Sequence, residues 1–256
     1  MAWKVTHIDE TDSTNRWLAE QGGDDDMVVW TDYQTAGRGC GTNRWESERG
    51  RNLLFSVRVH PTKVPAAQQF SVSMAMSMAV VGAVGALLKD CGAAADGLSV
   101  KWPNDIYWHD RKLCGILIEH RLSGRQLLQS IIGVGLNVNQ EVFLSDAPNP
   151  VSLRQIVGRD VSRERLLDKL LCAFEREMAE AEAGRWDAMK QRYEDMMYRR
   201  EGLHPFRDVL TGEVMTTVAI RGVDADGRLM LEWHRDPDRG ITERRTYGFK
   251  EVQFMQ

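Results

Sequence analysis

Residues 99–119 read SVKWPNDIYWHDRKLCGILIE, which is three short apolar runs separated by two polar turns. Pro103 has no backbone N–H to donate and favours an extended Trp102 before it, so we expect the chain to turn at Asn104-Asp105. The apolar runs on either side of the turns are typical of strands. Three consecutive strands are therefore predicted, at Ser99–Trp102, Ile106–Trp108 and Leu113–Glu119.

Two lysines, Lys101 and Lys112, lie in this stretch, and we expect them on neighbouring strands that face one cleft. A lysine at a sheet edge is usually a solvated rim charge with a buried stem, and that alternative stays open. Gly115 interrupts the third apolar run, which indicates close approach of a ligand or another segment to the backbone. A cation beside such a gap suits an anionic substrate.

Length and composition bound the class of protein. The 256 residues, 43% hydrophobic and 27% charged, suit one large globular domain or one domain with a small companion. The net charge of −4 argues against non-specific binding to nucleic acid. No signal-peptide pattern begins the chain, and the longest apolar run, Met74–Leu88, is too short for a membrane span. Four cysteines without a Cys-x-x-Cys pair disfavour a structural zinc site, and we expect a cytoplasmic protein.

Two polar segments upstream could bind a ligand. Asp12-Ser13-Thr14-Asn15 precedes a short helix predicted at Arg16–Glu20, and its hydroxyls either cap that helix or bind a polar group. Residues 34–47, QTAGRGCGTNRWES, fit neither a helix nor a strand period. In such a loop the backbone N–H groups can face an anion, and Arg38 offers a planar fork for a carboxylate or phosphate. A plain flexible loop is the alternative, since the spacing matches neither common nucleotide-binding motif.

Periodicity and turn residues predict the remaining elements. Further strands are expected at Trp3–Ile8, Met27–Thr31, Leu53–Val59 and Gln129–Asn139, and helices at Pro65–Cys91 and, broken near Gly184, at Val161–Arg200. After Gly202, a small β-barrel is expected from short strands at Val209–Leu210, Val214–Arg221, Arg228–Trp233 and Glu243–Phe254. Asn137, at the end of its strand, is either a cap or turn residue or a hydrogen-bond partner for a base or sugar.

Five motifs, taken in order along the chain, resemble those of the biotin protein ligases. They are DSTN at 12–15, QTAGRG at 34–39 with Trp45, KWPND at 101–105, KLCGILIE at 112–119 and GVGLNVN at 133–139. The resemblance covers essentially the whole chain. It implies an α+β fold: a catalytic domain related to class II aminoacyl-tRNA synthetases and lipoate ligases at residues 1–201, with a mixed sheet and packed helices, and an SH3-like barrel at 202–256. No helix-turn-helix pattern precedes Trp3, so the chain is similar to the monofunctional type.

The resemblance implies a reaction in two halves. The biotin carboxylate attacks the α-phosphate of ATP, with Mg²⁺, to give biotinyl-5′-AMP and pyrophosphate. A lysine of a biotin carboxyl carrier protein domain, from a biotin-dependent carboxylase, then attacks the mixed anhydride. The metal ligands stay unassigned, since phosphates and water often hold Mg²⁺. The oligomeric state stays open between a monomer and a homodimer, and neither nucleic acid nor a membrane is an expected partner.

Site residues are carried over position by position from the family motifs. The catalytic residues implied are Lys112, Arg38 and Asp105. The biotin site implied contains Ser13, Thr14, Asn15, Gln34, Gly37, Arg38, Gly39, Cys40, Lys112 and Gly115, and the ATP site contains Arg38, Trp45, Lys101, Asn104, Lys112 and Asn137. Our hypothesis is that Asp105 orients or deprotonates the incoming lysine, whose ordinary pKa is about 10.4. A purely structural Asp105 in the turn is the alternative.

The glycine-rich loop departs from the family pattern at one point. The family usually has Gly-Arg-Gly-Arg-Arg-Gly before the tryptophan, whereas Cys40, Gly41 and Thr42 hold the last three positions here. Arg44, Arg49 or Arg51 could supply the missing charge. We expect weaker retention of the adenylate than in the arginine-bearing members, because a charge-assisted contact is lost.

Three other functions compete with a biotin ligase. A lipoate–protein ligase would share the catalytic fold, but the arginine-glycine loop and the Lys-Trp-Pro-Asn-Asp turn favour biotin. A non-catalytic sensor of biotin or adenylate has little support, because Lys112, Arg38 and Asp105 are all present. A DNA-binding regulator is disfavoured by the acidic composition.

Overall fold

One mixed sheet of seven strands forms the larger part of the molecule. The computed structural model describes residues 3–41, 43–144 and 149–255. The strands are β1 (Lys4–Thr11), β2 (Met27–Gln34), β3 (Leu53–Val59), β4 (Leu98–Lys101), β5 (Asp105–Trp108), β6 (Arg111–Ser123) and β7 (Gln126–Leu136). Their order across the sheet is β1-β2-β3-β7-β6-β5-β4. Only the pair β1–β2 is parallel among these neighbours, and the others are antiparallel.

The three predicted strands between residues 99 and 119 are confirmed as β4, β5 and β6. The expectation that Lys101 and Lys112 occupy neighbouring strands is wrong, because β5 lies between β4 and β6. Two chain reversals, not one, separate the lysines, and each reversal adds a strand to the sheet. Lys101 instead pairs in register with Asp105, while Lys112 pairs with Tyr107.

Five helices accompany the strands within the described residues: α1 (Thr14–Glu20), α2 (Phe70–Asp90), α3 (Leu153–Val157), α4 (Arg163–Glu182) and α5 (Trp186–Asp195). The predicted break near Gly184 is confirmed, since that residue has φ +74° and follows the end of α4. Ser162 caps α4 as expected, its side chain accepting a hydrogen bond from the Arg165 N–H at 3.2 Å.

The central helix α2 is buried between the sheet and α4. With the 3₁₀ turn before it, this helical stretch runs over Ala66–Asp90 and, by length and composition alone, could cross a membrane. The run Met74–Leu88, expected to be too short for a membrane span, is only part of this longer apolar stretch. However, 72% of the apolar window is buried inside the protein, which is usual for the core helix of a globular domain.

A second sheet, antiparallel and five-stranded, follows α5. Its strands are β8 (His204–Asp208), β9 (Val214–Val223), β10 (Leu229–Asp236), β11 (Ile241–Tyr247) and β12 (Val252–Phe254), in the order β11-β10-β9-β8-β12. This C-terminal sheet agrees with the small β domain expected after Gly202. The boundary itself, between residues 201 and 202, stays a prediction.

Two of the predicted C-terminal strands are wrong in detail. Val209-Leu210 is a turn, because the Asp208 carboxylate accepts the N–H groups of Leu210 and Thr211, each at 2.9 Å. The predicted strand Glu243–Phe254 is two strands, β11 and β12, interrupted by a turn in which Lys250 has φ +66°.

Buried polar contacts dock the C-terminal sheet onto α5 and onto the turn between β4 and β5. The Trp102 indole N–H donates to the Gly227 carbonyl at 2.8 Å, and the Val223 N–H donates to the Glu194 carboxylate at 2.9 Å. Gly227 has φ +78°, and a side chain there would overlap with Phe70. These contacts fix the C-terminal sheet beside the turn between β4 and β5.

Candidate active site

A cavity of about 1680 Å³ lies between the seven-stranded sheet and the C-terminal sheet. One wall comes from the start of α1, the glycine-rich loop after β2, the β4–β5 turn, and strands β6 and β7. The opposite wall comes from β8, β12 and the turn before β12. Of the site residues predicted from the sequence, all but Gly37 line this cavity. Gly37 instead lets the backbone of Trp45 approach, its carbonyl accepting the Trp45 N–H at 3.0 Å.

The floor of the cavity is glycine. Gly115 on β6 and Gly135 on β7 are register partners, and the Trp45 ring lies over both. A Cβ at Gly115 would lie 2.9 Å from that ring, and one at Gly135 would overlap it. The close approach predicted at Gly115 is therefore confirmed, and the approaching group is an aromatic side chain. The indole N–H of Trp45 is buried without a hydrogen-bond partner among the described residues, so it is free to donate to a ligand.

A buried polar network lies at one end of the cavity. The Gln34 side-chain oxygen accepts from the Thr14 backbone N–H at 2.8 Å and from its hydroxyl at 3.1 Å. The Ser56 hydroxyl lies 2.7 Å from the Thr14 hydroxyl and 2.6 Å from the Asn15 amide oxygen. Ser56 was missed by the sequence reasoning, although a lone serine within the apolar strand β3 was a usable signal. Ser13 is the N-cap of α1 but makes no side-chain cap hydrogen bond, which leaves its hydroxyl for another partner.

Arg38 projects from the glycine-rich loop and pairs with a carboxylate. Its guanidinium donates to Glu119 at 2.7 Å, and the Asn15 amide donates to the same oxygen at 2.7 Å. Glu119 ends the β6 motif but was not among the predicted site residues, because nothing in the sequence connects positions 81 residues apart. The carboxylate joins the arginine to the polar network.

Lys112 and Asp105 form a second ion pair on the same wall. The Lys112 amine lies 2.7 Å from the Asp105 carboxylate and 5.8 Å from the centre of the Trp45 ring. Both side chains of the pair are about three-quarters buried. Lys112 and Arg38 therefore lie on the same side of the sheet and face one cavity, each held by one carboxylate.

Lys101 is a half-buried cation without such a partner. Its amine donates to the Tyr107 hydroxyl at 3.1 Å, and it makes no ion pair with any residue that the structure describes. Burial lowers the pKa of Lys101; the nearby charges of Lys112 and Arg199 lower it further, and Asp105 opposes them. A cation that has lost water without gaining a carboxylate is stabilised by an incoming anion.

The two asparagines assigned to the nucleotide site hold backbone in place. The Asn104 amide donates to the Ile116 carbonyl and lies 3.5 Å from the Cys40 sulfur. The Asn137 amide donates to the Val151 carbonyl at 3.1 Å, which fits the cap or turn alternative for this residue. Both residues also line the cavity.

Comparison with known proteins places this arrangement in a family. The profile of the biotin/lipoate A/B protein ligase family matches residues 7–137. A biotin–[acetyl-CoA-carboxylase] ligase of Mycobacterium tuberculosis is 33% identical over 235 residues, which is 88% of this chain and 82% of that protein. This chain belongs to the biotin/lipoate A/B protein ligase family. The matched region runs from β1 to Asn137 and so includes both ion pairs and the glycine floor.

Two further comparisons describe the extent of this family member. The bifunctional ligase/repressor BirA of Bacillus spizizenii is 31% identical over 174 residues, 66% of this chain and 51% of that protein, so the chain spans about half the length of that relative. The structure of the biotin protein ligase from Aquifex aeolicus in complex with biotin and ATP superposes with a TM-score of 0.77 at 22% identity, covering 99% of both chains. The predicted fold class, an α+β catalytic domain with a small C-terminal β domain, is confirmed.

The loop geometry shows which arginine could supply the charge that is missing at Cys40. Of the three arginines considered as replacements, only Arg44 lines the cavity, where its backbone bridges that of Arg38. Arg49 is bound to Glu10, and Arg51 lies 3.8 Å from Glu48. Thr42 lies outside the described residues.

Acidic groups suited to a metal are sparse in the cavity. The one group of three candidate ligands found among the described residues, His7, Asp9 and Asp32, lies outside the cavity lining, and Asp32 is held by Arg163 at 2.8 Å. The carboxylates that do line the cavity, at Glu46, Asp105 and Asp110, form no such group. This donor set fits Mg²⁺ that arrives bound to nucleotide phosphates and keeps water ligands.

Proposed function

We propose that this chain joins biotin to ATP, giving biotinyl-5′-AMP and pyrophosphate, and then transfers biotin to a lysine of a biotin carboxyl carrier domain. The observation that supports this proposal most strongly is the position of Arg38 and Lys112. Both lie on one wall of a cavity with a glycine floor, and each is paired with a single carboxylate. The Mycobacterium tuberculosis relative supports the choice of biotin, since it is named as a biotin–[acetyl-CoA-carboxylase] ligase.

The first half of the reaction brings two anions together. An oxygen of the biotin carboxylate forms a bond to the α-phosphorus, and the bond to pyrophosphate breaks. Negative charge that develops at the α-phosphate must be met by fixed donors. Lys112 and Arg38 can supply them by exchanging their contacts with Asp105 and Glu119 for contacts with the substrates. The contact with Asp105 keeps the Lys112 amine in the cavity, near the Trp45 ring, before the substrates bind.

The polar network suits the ureido group of biotin. A ureido group has two N–H donors and one carbonyl acceptor, and the network offers hydroxyls at Ser13 and Thr14 and amides at Asn15 and Gln34. Buried donors and acceptors of this kind reject ligands that leave them unpaired. The loop residues Gly39 and Cys40, with Gly115 below them, would enclose the chain that carries the carboxylate.

The nucleotide would occupy the rest of the cavity. Trp45 offers a ring face, and Lys101, Asn104 and Asn137 line the adjoining wall. Bound Mg²⁺ would neutralise part of the phosphate charge. Closure of the loop that carries Arg38 would exclude water and protect the mixed anhydride from hydrolysis.

Asp105 is our candidate for the base of the second half. The carrier lysine must lose a proton to attack the anhydride. When Lys112 turns to the substrates, the Asp105 carboxylate loses its partner and can accept a hydrogen bond from the incoming amine.

We further propose a cytoplasmic location, which the four free cysteines suit because the cytoplasm keeps thiols reduced. The monomer or homodimer state stays a prediction.

The test is a reconstitution with the pure chain, ATP, Mg²⁺, biotin and an apo carrier domain. We expect the intact mass of the carrier to rise by one biotinyl group on its acceptor lysine, and the change to require both biotin and ATP. Equimolar lipoate is the competitor. If the carrier gained a lipoyl group in preference to a biotinyl group, the substrate would be lipoate and not biotin. If neither acid gave an adduct or an adenylate, the proposal would be overturned.

A further inference from the structure

The turn between β11 and β12 places Lys250 against the tip of the glycine-rich loop. Gly41, at that tip, has φ +69°, and a Cβ there would overlap the Lys250 amine. Lys250 and its neighbour Phe249 both line the cavity on the wall opposite Lys112. The C-terminal sheet thus brings a cation to the loop at the position next to Cys40.

The backbone of Lys250 is unusual for a lysine. Its φ of +66° lies in the left-handed region that favours glycine and asparagine. The turn is fixed by Glu251, whose carboxylate accepts the Gly248 N–H at 2.6 Å and whose own N–H donates to the Gly248 carbonyl at 3.1 Å. A side chain kept at a position that would suit glycine points to a role for that side chain.

The charge of Lys250 is not compensated within the described residues. Its amine makes no ion pair or hydrogen bond with any of them, and its nearest aromatic contact is Phe249, at 5.8 Å from the ring centre. Lys112 and Arg38, by contrast, are each held by a carboxylate at 2.7 Å. An unpaired amine beside a glycine loop whose N–H groups can face an anion is suited to a phosphate.

We propose that Lys250 contacts the β- and γ-phosphates of ATP, and hence the pyrophosphate leaving group, across the tip of the glycine-rich loop. This inference rests on the proposed function. Lys112 and Arg38 lie on the sheet wall, where the carboxylate and the α-phosphate meet, so the far phosphates extend towards the opposite wall.

The experiment compares Lys250→Met, Lys250→Arg and Lys250→Gly in the full chain. Lys250→Met should raise the KM for ATP and the inhibition constant for pyrophosphate in parallel, each by about tenfold, which is typical for loss of one charge-assisted contact. The KM for biotin should stay within about twofold, because Lys250 makes no contact with the polar network that would hold the ureido group. Lys250→Arg, which keeps the positive charge, should leave both values close to those of the wild type. Lys250→Gly should behave like Lys250→Met although it relieves the backbone. Lys89→Met, at the exposed end of α2, is the charge-matched control.

Direct binding of pyrophosphate by calorimetry separates this inference from the proposed function. Suppose that the wild-type chain made no adenylate, but that Lys250→Met bound pyrophosphate about tenfold more weakly than the wild type. The proposed function would then be wrong, while the phosphate contact of Lys250 would stand. An unchanged affinity in Lys250→Met would overturn the contact. A parallel rise in the KM values for biotin and ATP would also overturn it, because it would indicate that Lys250 only supports the loop.

Discussion

The cavity and the C-terminal sheet treat charge in opposite ways. In the C-terminal sheet, Glu232 accepts from Arg221 and Arg244, and Arg245 binds Glu243 at 2.7 Å and Glu213 at 2.8 Å. We call these six residues the barrel network. In the cavity, Lys101 and Lys250 make no ion pair with a described residue, and Arg38 and Lys112 have one carboxylate each. We call these four residues the cavity cations.

This difference separates charges that stabilise the fold from charges that await a ligand. Carboxylates and guanidinium groups in the barrel network satisfy one another, and the buried carboxylate of Glu232 is held by two exposed arginines. The cavity cations line a space in which an anion can contact them. Substitutions in the cavity should therefore change activity, whereas those in the barrel network should change stability.

The largest effect is expected for Lys112→Ala. Removal of the amine should lower the rate of biotinyl-AMP formation by about a hundredfold or more, because a fixed donor at the developing charge is lost. The rate is measured by biotin-dependent release of pyrophosphate. Lys169→Ala, which removes an exposed lysine paired with Asp90 at 2.8 Å, is the control and should have the wild-type rate.

Asp105→Asn should separate the two halves of the reaction. We expect transfer from biotinyl-AMP to the carrier to slow by about a hundredfold, within the usual range for loss of a general base. Transfer is followed by carrier mass after adding preformed adenylate. If adenylate formation and transfer were both intact, Asp105 would be a structural turn residue.

The strands that form the site could be predicted from the sequence, but ion pairs such as Asp105–Lys112 could not. The strands β4 to β6 were predictable because alternation and turn residues are local signals. The partners across the cavity were not, since Arg38 and Glu119 meet only through the sheet register. Asn104 and Asn137 were placed correctly in the cavity by their motifs, but their bonds to backbone carbonyls depend on the folded chain. Lys250 had no signal in the sequence, because its role depends on how the two sheets dock.

Cys40→Arg tests the departure in the glycine-rich loop. Restoring the guanidinium should slow the dissociation of biotinyl-AMP by about tenfold through one charge-assisted contact. Dissociation is followed by chasing bound adenylate with excess biotin and ATP analogue. Cys172→Arg, on the exposed surface of α4, is the matched control. An unchanged rate in Cys40→Arg would contradict the expectation that the adenylate is held less tightly because of Cys40.

The lowered pKa of Lys101 predicts that nucleotide binding depends on pH. Because burial lowers the pKa of its amine from the ordinary 10.5, Lys101 should lose its charge as pH rises through a lower value than an exposed lysine would. The KM for ATP should therefore rise by a few-fold at alkaline pH. In Lys101→Arg the charge persists, and the profile should be flat over the same range. Equal profiles would remove Lys101 from the nucleotide site.

The smallest effect on activity is expected for Glu232→Gln in the barrel network. Hydrogen bonds from Arg221 and Arg244 lower the pKa of Glu232 from 4.5 to about 2. A carboxylate with a lowered folded pKa stabilises the fold above its unfolded pKa and loses that effect as pH falls. The variant should melt about 2–4 °C below wild type at pH 7. This difference should shrink between pH 4.5 and 2. Glu201→Gln, at an exposed glutamate without an ion pair to a described residue, is the control.

Single-turnover formation of biotinyl-AMP, measured by mass in wild type, Lys112→Ala and Glu232→Gln beside their melting temperatures, tests the central claim most directly. We expect Lys112→Ala to lose adenylate formation while it stays folded, and Glu232→Gln to keep the wild-type rate while its melting temperature falls. Full-rate adenylate formation by folded Lys112→Ala would contradict the account, because the cavity cation at its centre would then have no part in the chemistry.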